Sequence, residues 1–213
     1  MRISHKHKFI FFHIPKTGGN SVQNSLTPFS DIITNSIDGD IYNHHVRPNR
    51  LKEYFEQRGW NFDEYFKFAF FRNPWSFALS IWTYAHKCKQ QWGNQNTSNF
   101  TNQHWVKRVR SITSFKTYSD FCCSSIKQDN QYNFVFDKSD TKMVDFIGTL
   151  ENLQSDLNNI CDKIGIPYQN VGHDNQSNSK NYIDYYDQKS IDHVTSIFHK
   201  TISYKNYKFG EQK

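Results

Sequence analysis

The chain has 213 residues, with 26 Lys and Arg against 20 Asp and Glu, a formal net charge of +6 and 17% aromatic residues. That length suffices for one domain with a sizeable core, to which 19 Phe and 12 Tyr bring large apolar rings. The positive balance favours anionic partners, and no apolar run approaches the ~20 residues of a membrane span.

The basic start, Met1 to Lys8, is followed by only six residues, Phe9 to Ile14, before Pro15. That is too short and too polar for a secretory signal. The four cysteines, Cys88, Cys122, Cys123 and Cys161, form no C-x-x-C pair. They read as buried or incidental thiols in a reducing compartment, so the expected location is cytoplasmic.

Lys8 to Ile14 is apolar on both faces, as a central strand of a parallel sheet should be. The run H-I-P-K-T-G-G-N-S follows at residues 13–21, and Asn20 to Leu26 reads as a short helix closed before Pro28. A second helix is expected over Pro48 to Arg58, with Leu51, Tyr54 and Phe55 on one face and Gly59 as its stop. Phe66 to Phe71 is a second apolar strand, ended by Arg72-Asn73-Pro74. A helix over Trp75 to Lys89 carries Phe77, Ile81, Tyr84, Ala85 and Cys88 on its apolar stripe and Ser76, Ser80, Thr83 and Lys87 beside it. Residues 89–104, rich in Asn and Gln, read as a loop. Lys142 to Gly148 is a third strand candidate. Leu150, Leu153, Leu157, Ile160 and Ile164 then mark a helix stopped by Gly165 and Pro167. A last helix is expected after Asp187, with Ile191, Val194, Phe198 and Ile202. The alternation predicts an α/β fold in three layers, a mainly parallel central sheet flanked by helices, in a single domain over residues 1–213.

In such a sheet, ligands sit at the carboxyl ends of the strands. The first strand delivers Lys16, Thr17, Gly18 and Gly19 to that edge, where a helix begins at once. Glycines let backbone N–H groups approach an anion, the helix start adds partial positive charge, and Lys16 adds a full one. Asn20 and Ser21 add polar side chains. The pattern is a phosphate or sulfate cradle, or a plain strand–turn–helix junction in which Gly-Gly serves only the turn. It is not the Walker pattern G-x-x-x-x-G-K-[ST], since the lysine precedes the glycines. The second junction ends in Arg72, with Ser80 eight residues on. A forked guanidinium with a hydroxyl suits a second phosphate. Two anion sites on one edge point to a ligand with two separated phosphate-like groups.

H-I-P-K-T-G-G-N-S resembles the 5′-phosphosulfate loop of sulfotransferases, most like those acting on carbohydrates, bacterial members included. F-K-F-A-F-F-R-N-P-W-S-F-A-L-S, residues 66–80, resembles their 3′-phosphate motif. Residues 144–166 and the C-terminal segment resemble later parts of these families, so the likeness covers nearly the whole chain. It implies a P-loop-like fold that binds 3′-phosphoadenosine 5′-phosphosulfate (PAPS), transfers its sulfuryl group to an acceptor hydroxyl without a metal, and releases adenosine 3′,5′-bisphosphate. It places Lys16, Thr17, Gly18, Gly19, Asn20 and Ser21 on the phosphosulfate and Arg72 and Ser80 on the 3′-phosphate. Asn20 stands where the family usually has threonine. Phe77 stands where many members have a second arginine, and Lys180, in a segment similar to a loop near the nucleotide, is the candidate replacement.

An acceptor hydroxyl benefits from a general base, and His44 and His45 precede the Pro48 helix. The resemblance favours His45, which stands six residues before the helix leucine Leu51. Trp92 and Trp105 suit a saccharide, and Lys107, Arg108 and Arg110 an acidic glycan or solvent alone. Three other readings stay open: a nucleotide-binding relative without transfer activity, a kinase-like phosphoryl transferase, and a nucleic-acid binder resting on charge and aromatic content.

Overall fold

The computed structural model describes residues 1–33, 45–92, 118–171 and 181–211, with side chains described up to residue 86 in the second segment. In chain order the elements are β1 (Arg2–Ser4), β2 (Phe9–Phe12), α1 (Gly19–Leu26), β3 (Ile32–Ile33), α2 (Pro48–Gln57), β4 (Phe66–Phe71), α3 (Pro74–Trp92), α4 (Tyr118–Ser125), β5 (Phe146–Thr149), α5 (Leu153–Ile164), α6 (Gln188–Ile197) and α7 (His199–Lys205). The chain forms two compact units, one from Met1–Arg72 with Asn130–Ser177, the other from Asn73–Asp129 with Asn178–Gln212.

The first unit holds a five-stranded open sheet in the order β3-β1-β2-β4-β5. β2 pairs with β4, and β4 with β5, in parallel. The sheet is nonetheless mixed, because β1 pairs antiparallel with both β2 and β3. Side chains alternate across it with the strand period of two. Ile10, Phe12, Ala69, Phe71 and Ile147 face one core, where Leu51, Tyr54 and Phe55 of α2 cover them. Phe9, Phe11, Phe68 and Phe70 face the other, under Val22 and Leu26 of α1 and Leu157, Ile160 and Ile164 of α5. This unit is therefore three layers, helix, sheet and helix. The uninterrupted apolar runs of β2 and β4 follow from burial on both faces. Gly59 and Gly165 take left-handed φ just past α2 and α5, as helix stops.

The second unit is helical. Phe77, Ile81 and Ala85 of α3 share a core with Phe121 and Cys122 of α4, Val194 of α6, and Phe198. Phe77 is 2% exposed and its ring meets that of Phe198 at 5.6 Å. The position where the resemblance leads one to expect arginine is thus an apolar core position here, and a cationic contact from it is excluded. No helix among the described residues is long and apolar enough to cross a membrane.

Candidate functional site

β2, β4 and β5 run parallel, so their carboxyl ends share one edge of the first unit's sheet. The loop after β2 is shaped for a close turn there. Thr17 is buried, and its Oγ1 donates to the carbonyl of Ile14 at 2.9 Å, which pulls the loop back on itself. The hydroxyl that the sequence offers to a ligand is thereby also the lock of the turn. Lys16 takes a left-handed φ of 68°, and Gly18 follows with φ 79° as the N-cap of α1. Left-handed residues at a helix start turn backbone N–H groups toward one concave point, which suits an anion. The first turn of α1 has no acidic residue to oppose that polarity.

Gly19 is fixed by packing. A Cβ there would stand 1.9 Å from Cδ2 of His13. The His13 ring, itself 7% exposed, stacks on Phe11 at 6.1 Å and fills the space a side chain would need. Asn20 is exposed and Ser21 half-buried on the same first turn.

Arg72 follows the end of β4. Its Nη1 donates to the carbonyl of Lys16 at 3.3 Å, so the guanidinium reaches the loop after β2. His45 reaches the same loop. Its ring meets that of His13 at 4.7 Å, and its Nδ1 lies 2.8 Å from the carbonyl oxygen of His13. A carbonyl can only accept, so Nδ1 carries a proton and donates it. The neutral ring then has its lone pair on Nε2.

The first unit thus brings together Lys16, Thr17, Gly18, Gly19, Asn20, Ser21, Arg72 and His45. Ser80 lies on α3 in the second unit, half-buried, its Oγ donating to the carbonyl of Phe77 at 2.7 Å. His44, Lys180, Trp105, Lys107, Arg108, Arg110 and most of the Asn/Gln-rich loop lie outside the described residues, as does the side chain of Trp92. Among the described residues no group of three His, Cys, Asp or Glu side chains is placed to hold a metal ion.

Two contributors were not legible in the sequence. The main-chain carbonyl of His13 holds the His45 ring, and Gln131 binds the backbone of Arg72. A carbonyl has no residue-type signal, and a lone glutamine in D-N-Q-Y-N-F-V-F has no spacing that marks it.

The model of the Sulfotransferase family matches residues 1–208. A protein of Archaeoglobus fulgidus known only as "Uncharacterized protein" is 29% identical over 106 residues, 50% of this chain and 72% of that one. No solved structure matches the chain.

Proposed function

The chain belongs to the sulfotransferase family, and on that premise we propose that it moves a sulfuryl group from PAPS to an acceptor hydroxyl on a saccharide. The observation that best supports this reading is the meeting of Lys16, the N-terminus of α1, Arg72 and His45 at one sheet edge. These residues fit the donor's chemistry: a glycine-lined turn and a lysine for one anionic group, a guanidinium for another. We read both units as one P-loop-like domain over residues 1–213, which the match across residues 1–208 supports.

Bound there, PAPS supplies an activated sulfuryl group. Backbone N–H groups of Gly19, Asn20 and Ser21 hold its 5′ end, with the Ser21 hydroxyl beside them. Lys16 counters the negative charge that builds on the leaving phosphate oxygen, a contact stronger in the transition state than before it. Arg72 takes the 3′-phosphate as a charge-assisted fork. Spacing from Arg72, rather than contact geometry, supports Ser80 on the same phosphate, and the likeness of its segment to a family loop near the nucleotide supports Lys180 there. His45 acts as general base through Nε2: the acceptor's proton passes to it as the new oxygen–sulfur bond forms and the bond to the phosphate oxygen breaks. The net charge of +6 supports an anionic donor and suits an acidic glycan acceptor.

The test is transfer of label from radiolabelled PAPS to a panel of glycans, lipids and small alcohols. Lys16→Ala should lower turnover by roughly 10²–10³ while changing affinity for adenosine 3′,5′-bisphosphate far less. A Lys16→Ala enzyme with near-normal turnover would refute the assignment. The buried Phe77 favours a second reading, a nucleotide-binding relative without transfer activity. That reading takes over if the wild type binds the bisphosphate but labels no acceptor.

A further inference from the structure

We propose that Gln131 is a positioning residue that sets Arg72 to discriminate the 3′-phosphate, an inference that rests on the reading of Arg72 above. Gln131 is fully buried. Its Oε1 accepts from the N–H of Arg72 at 2.7 Å, and its Nε2 donates to the carbonyl of Arg72 at 2.9 Å. In an extended residue, N–H and C=O point the same way, so one primary amide can close both as a neighbouring strand would.

The place of this clamp gives it a consequence. The last paired residue of β4 is Phe71, opposite Thr149, and its pairing with β2 stops at Ala69. Arg72 lies one residue beyond the sheet ladder, and the side chain of Gln131 supplies the next rung. Gln131 is itself held firmly. It caps a helical turn over Tyr132–Val135, in which the N–H of Phe134 bonds its carbonyl at 3.2 Å. Phe134 and Val135 are buried in the same core as Ala69 and Phe71. Rigidity therefore passes from that core through the turn and the amide to the Arg72 backbone, whose guanidinium extends to the carbonyl of Lys16. A buried amide is costly unless both ends are satisfied, and here one residue's peptide groups satisfy both. Without the clamp, Arg72 keeps its charge and loses its fixed aim.

Four variants are titrated with adenosine 3′,5′-bisphosphate and with adenosine 5′-phosphate: Gln131→Met, which keeps volume and removes both bonds, Gln131→Glu, which loses the donor, Arg72→Ala, and the double variant of Arg72→Ala with Gln131→Met. The readout is the ratio of the two affinities, which a partly unfolded sample leaves unchanged. Gln131→Met should lower the preference for the bisphosphate about tenfold, with Gln131→Glu also below wild type. Added to Arg72→Ala, Gln131→Met should lower the preference no further, because it acts through Arg72. Full preference in either Gln131 variant, or a loss that adds fully to that of Arg72→Ala, overturns the proposal. If Arg72→Ala alone keeps the preference, the reading of Arg72 fails first and the role of Gln131 falls with it.

Discussion

A methyl group at Gly19 would run into the His13 ring, 1.9 Å from Cδ2 and 2.2 Å from Nε2. That ring is buried, so it has nowhere to swing. Gly19→Ala should therefore lower stability by about 1–3 kcal/mol and weaken adenosine 3′,5′-bisphosphate binding. Gly59→Ala is the control. Gly59 has a left-handed φ, which Gly19 does not, but nothing within 4 Å, so an alanine there meets backbone strain without a clash and should cost only about 1 kcal/mol with binding intact. Thermal melts and titrations of both variants check this, and equal effects would contradict the packing argument. His45 carries the second expectation at this scale. A base must be neutral to act, so the acid limb of the pH–rate profile should belong to His45. His45→Ala should lower transfer by roughly 10²–10⁴ and abolish that limb, with bisphosphate affinity nearly unchanged. A variant that keeps both rate and limb places the base elsewhere. The placement of Lys16 and Arg72 at strand ends was legible in the sequence because charged side chains there are visible residue types, whereas His45, in the loop before α2, stood out through the family resemblance alone. Gln131 was not legible, since its role comes from lying beside Arg72 only after the chain has folded.

Among the elements, α6 begins with a reciprocal cap. The Asp187 carboxylate accepts from the Ser190 N–H at 2.8 Å, and the Ser190 hydroxyl accepts from the Asp187 N–H at 3.1 Å. The Ser190 hydroxyl, which also donates to the carboxylate at 2.6 Å, then the Ser190 N–H and the Ser119 hydroxyl, hold the Asp187 carboxyl below the usual carboxylate range. Its contribution is therefore present above the ordinary aspartate pKa and is lost as pH falls through the lower folded value. Asp187→Ala should cost about 1 kcal/mol at neutral pH, read as a lower unfolding midpoint, and the difference from wild type should shrink in acid. A midpoint equal to wild type at neutral pH would remove the cap from the account. The start of this helix was legible from Asp187, and β4 was found at its observed bounds because both its faces are buried. β1 was not. It is three residues long, and two of them are polar, with Arg2 turned inward to bond Thr27 Oγ1 at 3.0 Å. The strand expected over Lys142 to Gly148 starts too early, because Lys142 makes only an isolated bridge to Phe136 before β5 begins at Phe146.

At the scale of the whole molecule, layer order was readable from alternating strands and helices, whereas the division into two units was not. It depends on which segments return, and residues 130–177 rejoin the first unit after a long excursion. The mixed sheet escaped for the same reason that β1 did. The second unit holds a buried group of acids. The hydroxyls of Tyr118 and Tyr186 lie 2.6 Å apart, burial raises both their pKa values, and burial pushes the Cys122 thiol up to about 12. Each is stable as the neutral form when folded, so their contribution is full below the unfolded pKa values and is lost as pH rises through them. The unfolding midpoint should fall steadily above about pH 9, and Cys122→Ala should make that fall shallower. A midpoint unchanged to pH 11 would contradict the burial argument. The central claim, that this chain is built to take a donor with two anionic ends, is tested most directly by calorimetric titration of the wild type with adenosine 3′,5′-bisphosphate and with adenosine 5′-phosphate, both with a chelator present. One site per chain is expected, bound without metal, with an affinity for the bisphosphate at least about tenfold higher, the worth of one charge-assisted contact. No binding, or equal affinity for the two ligands, would contradict the claim.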